Sequence, residues 1–135
     1  MIPSDLAGTI YDAGSGWGNL AIKLAKRFPD CKIIGIENSP IPYAASKILS
    51  RFLRLEHLHF IRANFLNVPM QDASLLVCYL YPGGMKKIKT KLLELQPGTP
   101  VISNTFSIPG WEPLEIIQTQ DLYRSPIYLY KVPMR

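Results

Sequence analysis

The chain has 135 residues, 47% of them hydrophobic and 19% charged, with a net charge of +5. That balance excludes intrinsic disorder and fits one globular domain over residues 1–135. No apolar run approaches the ~18–20 residues of a membrane-spanning helix, and the opening Met1-Ile2-Pro3-Ser4-Asp5 has neither the basic nor the apolar stretch of a secretory signal. The modest positive excess suits an acidic or membrane-proximal partner, or solubility alone.

The elements alternate. Gly8-Thr9-Ile10-Tyr11 reads as a first strand ending at Asp12. Asn19 to Arg27 reads as a helix whose apolar side is Leu20, Ile22, Leu24 and Ala25, and Phe28-Pro29-Asp30 ends it. Lys32 to Glu37 is the second strand. Ser39-Pro40-Ile41-Pro42 opens a second helix, since proline is tolerated in a first turn. That helix is expected to reach about Leu55, with Lys47, Arg51 and Arg54 on a solvated face. Leu58 to Arg62 is a third strand, followed by a loop at Asn64-Phe65-Leu66. Ser74 to Tyr81 is a continuous β-rich run fit for the middle of a parallel sheet. Tyr81-Pro82-Gly83-Gly84 reads as a turn, Lys86 to Leu95 as a basic helix, and Pro100 to Asn104 as a fifth strand. Trp111 to Gln118 and Ser125 to Val132 read as two strands around a polar turn near Gln120-Asp121.

Strand–helix alternation with a closing strand pair predicts an α/β fold. It is Rossmann-like and doubly wound, with a mostly parallel sheet of about seven strands and an antiparallel last hairpin. Cys31 and Cys78 both fall in strands and read as buried free thiols in a reducing compartment, so the cytoplasm is the expected location. His57 and His59 read as a surface pair, and no metal site is expected.

The chemistry concentrates at Asp12-Ala13-Gly14-Ser15-Gly16-Trp17-Gly18, between the first strand and the first helix. Glycines there remove the Cβ where backbone must turn tightly or touch a ligand. Glu37 closes the second strand, where a carboxylate can accept hydrogen bonds from both ribose hydroxyls. Strand, glycine loop, helix, strand and acid form the plan of a nucleoside-binding half-fold. A dinucleotide fingerprint read from Gly14 fails at Asn19. Read from Gly16 it matches formally through Ala21, but it would carry the strand through Asp12 and Gly14, which the composition disfavours.

The acid-x-Gly-x-Gly-x-Gly pattern resembles motif I of the class I S-adenosylmethionine (AdoMet) methyltransferases. The resemblance implies AdoMet as cofactor rather than NAD. It implies Asp12, Gly14, Ser15, Gly16, Trp17 and Gly18 around the methionine part, and Glu37 on the ribose. Asn38, Asn64 and Phe65 would flank the adenine, with Tyr79 nearby. Members of this class usually carry one or two helices before the first strand. Only eleven residues precede Asp12, so those capping helices are expected to be missing or truncated. Any membrane association would come through upstream residues.

More narrowly, Tyr79-Leu80-Tyr81-Pro82 and Phe106-Ser107-Ile108-Pro109-Gly110-Trp111-Glu112-Pro113 resemble segments of small protein-lysine methyltransferases related to the ATP synthase c-subunit lysine methyltransferase. That resemblance implies a protein lysine as acceptor, with Tyr81, Pro82 and Trp111 at the acceptor channel. The segment after the fourth strand lacks the acid or amide that orients a planar exocyclic amine. The alternatives are an RNA methyltransferase using the Lys86-Lys87-Lys89-Lys91 helix, a small-molecule methyltransferase, and a binding module without a complete acceptor site.

Overall fold

The computed structural model describes residues 6–80, 82–118 and 125–134. Tyr81 and the expected turn near Gln120-Asp121 lie outside the described residues. Seven strands and three helices run in chain order as β1 (Gly8–Ala13), α1 (Asn19–Arg27), β2 (Cys31–Glu37), α2 (Pro40–Phe52), β3 (Leu58–Arg62), β4 (Ala73–Cys78), α3 (Pro82–Leu92), β5 (Pro100–Asn104), β6 (Glu115–Gln118) and β7 (Pro126–Lys131).

The strands form one sheet in the order β3-β2-β1-β4-β5-β7-β6. The first five pair in parallel, and β7 enters antiparallel between β5 and β6. This is the expected doubly wound sheet with an antiparallel end. The strand order reverses between β1 and β4, and the crevice beyond their carboxyl ends is where such sheets bind ligands.

Two apolar layers clamp the sheet. Ile10, Ile33 and Phe60 pack with Ala21, Ile22 and Ala25 of α1 on one face. Ile36, Leu76 and Tyr130 pack with Met85, Ile88 and Leu92 of α3 on the other. Cys31 and Cys78 are buried free thiols.

Several boundaries differ from expectation. β4 ends at Cys78, not Tyr81. Ala13 pairs with Cys78, and β1 then turns away into the glycine loop, so no neighbour on that side continues the ladder. Pro82-Gly83-Gly84 is not a turn but the start of α3, a position that needs no proline N–H. β6 begins at Glu115 rather than Trp111: the Trp111 N–H is turned onto the Ile108 carbonyl, and Pro113 has no N–H to give a ladder. α2 stops at Phe52, two residues before Arg54 takes a left-handed φ of 58°.

Candidate functional site

The loop after β1 is wired to its surroundings by backbone groups. The Gly14 and Ser15 N–H groups both donate to the Ile36 carbonyl at 2.9 Å, tying the loop to β2. The Gly16 N–H donates to Glu37 Oε1 at 2.8 Å, and the Ser39 N–H donates to Glu37 Oε2 at 2.9 Å. From α2, the buried Ser46 hydroxyl lies 3.1 Å from the Gly16 carbonyl and 2.7 Å from that of Pro42.

The glycines serve distinct needs. Gly14, Gly16 and Gly18 have φ of 74°, 58° and 88°, the left-handed region that favours glycine. A Cβ on Gly18 would meet Ser46 Oγ at 2.8 Å and Phe60 Cζ at 3.0 Å, so this glycine lets α1 close onto α2 and β3. A Cβ on Gly16 would meet no protein atom within 4 Å. Its open side faces a cavity.

Two adjoining cavities flank this loop and share Gly14 and Tyr79. One, of about 430 Å³, is bounded by Glu37, Asn38, Asn64, Phe65 and Leu80, with Lys87 at its edge. The other, of about 570 Å³, is bounded by Asp12, Ser15, Gly16, Trp17, Lys23 and Asn104. Asn64 also caps a single 3-10 turn over Phe65–Asn67, its Oδ1 accepting the Leu66 N–H at 3.0 Å. Trp17 is largely exposed at the second cavity's rim.

Asp12 is the electrostatic oddity of the site. It is 1% exposed, and burial pushes its carboxyl up to about 7, with the Glu37 carboxylate adding to the rise. Neither Asp12 Oδ2 nor Ser15 Oγ has a hydrogen-bond partner among the described residues. Buried polar atoms without partners are costly. A polar, cationic ligand in the second cavity would relieve both. Burial also pushes Cys78 up to about 12, against the Ser103 hydrogen bond and with help from Asp12. It is a packing thiol, not a nucleophile.

The acceptor-side expectations fare differently. Tyr79 leaves β4, is half-exposed, and meets Phe106 edge-on at 6.4 Å. Pro82 opens α3, and Tyr81 lies outside the described residues. Trp111 lies away from the glycine loop. It is half-buried, edge-on to Tyr130 at 6.1 Å, packs on the α3-side core, and lines neither cavity. Tyr130 holds this corner by accepting the Ile108 N–H at 2.9 Å.

Sequence reasoning missed Ser46 and Lys23, and reached Asn104 only as the start of the Asn104 to Phe106 segment expected to converge on the site. Ser46 carries no sequence signal, since a serine within a helix is unremarkable until its carbonyl partner is seen. Asn104 ends β5, where ligand contacts gather, and that position was its only signal. Its Oδ1 accepts the Thr105 hydroxyl at 3.0 Å, while Thr105 takes a left-handed φ of 74°. That conformation is strained for a β-branched residue. No cluster of metal-ligating side chains occurs among the described residues.

A glycine cradle at the strand-order switch, a carboxylate one strand away and an open hollow between them define a class I AdoMet-dependent methyltransferase. A crystal structure of an RNA methyltransferase from Salinibacter ruber in complex with S-adenosyl-L-homocysteine matches with a TM-score of 0.87 and 25% identity, over 98% of this chain and 86% of that one. Geranyl diphosphate C-methyltransferase from Streptomyces coelicolor A3(2) matches with a TM-score of 0.63 over 74% of this chain and 41% of that one. At 20% identity it shows the fold alone. A protein-lysine N-methyltransferase of Saccharolobus islandicus (strain REY15A) is 32% identical in an alignment of 127 residues that covers 91% of this chain and 78% of the relative. Residues 12–115 match the ANTKMT methyltransferase domain, and the chain belongs to that family. The cofactor is therefore AdoMet, and NAD is set aside.

Proposed function

We propose that this enzyme methylates the ε-amine of a protein lysine, with AdoMet lying across the two joined cavities. Glu37 would hold the ribose hydroxyls. Each of its oxygens accepts one backbone N–H, and a carboxylate has about four acceptor sites in all. Asn38, Asn64 and Phe65 would flank the adenine in the first cavity. Asp12, Gly14, Ser15, Gly16, Trp17 and Gly18 would surround the methionine end, where the two unpartnered oxygens match a cationic, hydrogen-bonding group.

The observation that carries the lysine reading is the wall of the second cavity. Tyr79, Trp17 and Asn104 meet there, beside Gly14. AdoMet supplies an electrophilic methyl whose leaving group is neutral. The protein need not protonate that leaving group, so alignment carries most of the catalysis, a contribution that can reach ~7–11 kcal/mol. A lysine of pKa ~10.4 costs ~4–5 kcal/mol to deprotonate at pH 7. Aromatic walls lower that cost by desolvating the ammonium. The name of the archaeal relative, protein-lysine N-methyltransferase, supports the same acceptor. Tyr81 and Pro82, which follow Tyr79 in the chain, remain our proposed acceptor-side residues. Trp111 remains proposed with them.

RNA is the second reading, favoured by the similarity to the Salinibacter ruber RNA methyltransferase and by the lysines of α3. Labelled-methyl transfer from AdoMet to cell lysate separates the two. Label should survive ribonuclease and disappear when lysine amines are blocked beforehand by acetylation, which removes the nucleophilic lone pair. Label entering RNA alone would sink the lysine proposal. AdoMet binding with no transfer to any acceptor would leave a binding module.

A further inference from the structure

Helix α2 is built inside out. Its buried residues are Ser46 and Ser50, whereas its outward direction carries Ile41, Ile48 and Phe52 at 70%, 70% and 82% exposure. At 100° per residue these three lie within one narrow stripe. Lys47 and Arg51 form the next stripe around the helix, and Arg54 follows just beyond its C-terminal end. They border a cavity of about 480 Å³ between α2 and the edge strand β3, floored by Leu58 and Phe60 and also lined by Glu56 and His59. Lys47 reaches only the ring and hydroxyl of Tyr43. None of the three cations forms a salt bridge among the described residues. Three positive groups against the single Glu56 leave the groove net cationic.

We propose that α2 docks flat on an anionic phospholipid surface. Ile41, Ile48 and Phe52 would enter the headgroup–acyl boundary, and Lys47, Arg51 and Arg54 would take the lipid phosphates. The chemistry is that of an interfacial helix, with a large apolar stripe beside a cationic one. Charge complementarity selects the occupant: lipid offers both an apolar layer and negative charge, which water-filled nucleic-acid grooves do not. No helix among the described residues is long and apolar enough to cross a membrane, so this contact would lie on the surface. The helix begins three residues after Glu37. Docking along it would bring the mouth of the AdoMet site to the lipid face.

The test is flotation of the full chain with vesicles of phosphatidylcholine alone and with 30 mol% phosphatidylglycerol, in low and high salt, a lipid fraction chosen as roughly physiological. Binding is expected only to the anionic vesicles and should weaken with salt. The triple variant Lys47→Gln/Arg51→Gln/Arg54→Gln should lose on the order of a hundredfold in partitioning. Ile48→Ser/Phe52→Ser should lose at least tenfold. Both variants should bind AdoMet as the parent does, which certifies the fold. Absence of flotation, or flotation unaffected by either variant, overturns the proposal. So does a dimer in sedimentation that Phe52→Ser alone dissolves, or binding to single-stranded RNA in preference to anionic vesicles.

Discussion

The two ends of the site are held by different physics. The cofactor end is a web of hydrogen bonds to the loop backbone: the Gly14 and Ser15 N–H groups to the Ile36 carbonyl, the Gly16 N–H to the Glu37 carboxylate, and the Ser46 hydroxyl to the Gly16 carbonyl. The proposed acceptor end rests on an edge-on aromatic pair, Tyr79 with Phe106, and on a strained Thr105 beside Asn104. Bonds made by backbone groups barely depend on side-chain identity, so the cofactor end tolerates change except at its glycines and its acid, which are the sensitive positions. Aromatic contacts depend on side chains entirely, so the acceptor end is free to vary with substrate. One chain can thus hold the same cofactor as a wide class while accepting its own substrate.

Breaking the cofactor end should have the largest effect. Gly16→Val places a branched side chain at φ 58° in the ligand hollow. Calorimetry should then detect no AdoMet binding. If affinity is retained, the hollow is not the cradle.

Glu37→Ala comes next. It removes the acceptor for two backbone N–H groups as well as the proposed ribose contact, and AdoMet should weaken on the order of tenfold to a hundredfold. Hydrogen exchange at Gly16 should quicken in the same variant. A surviving affinity with faster exchange would assign Glu37 to the loop alone.

Asp12 gives a pH test. Its folded value, about 7, lies above the ordinary 3.8. Between these values the folded form holds a proton that the unfolded chain has released. Stability of the ligand-free protein is therefore favoured at low pH and falls as pH rises from about 4 to 7. A cationic ligand beside Asp12 favours the charged carboxyl, so AdoMet affinity should rise with pH, by up to about tenfold per unit below 7. Asp12→Asn should flatten both profiles. A sloping stability curve in that variant would assign the proton elsewhere.

The smallest expected effect sharpens the contrast from the other side. Phe106→Ala removes the edge contact to Tyr79, worth about 0.5–1.5 kcal/mol beyond area burial. The acceptor KM should rise several-fold while AdoMet affinity stays within twofold. Equal losses in both would mean that the two ends are not independent.

Much of this was legible along the chain because it depends on local rules. Glycine spacing announced the left-handed loop, alternating periodicities announced the parallel sheet, and Glu37 at a strand end was readable from order alone. Asp12, one residue before that strand's end, could be named as the motif's acid. Its elevated proton affinity could not, because desolvation and the Glu37 field exist only once β1 and β2 lie side by side. Ser46 joins the loop across thirty residues of sequence, and periodicity carries no trace of such a contact. α2 shows the limit most plainly. Its pattern admits either side as the buried one, and the sequence reading looked only to its cations for the solvated face. The folded sheet took the serines instead, because Gly18 and Phe60 of β3 close against Ser46 and leave room for a small side chain there, and Ile41, Ile48 and Phe52 face outward.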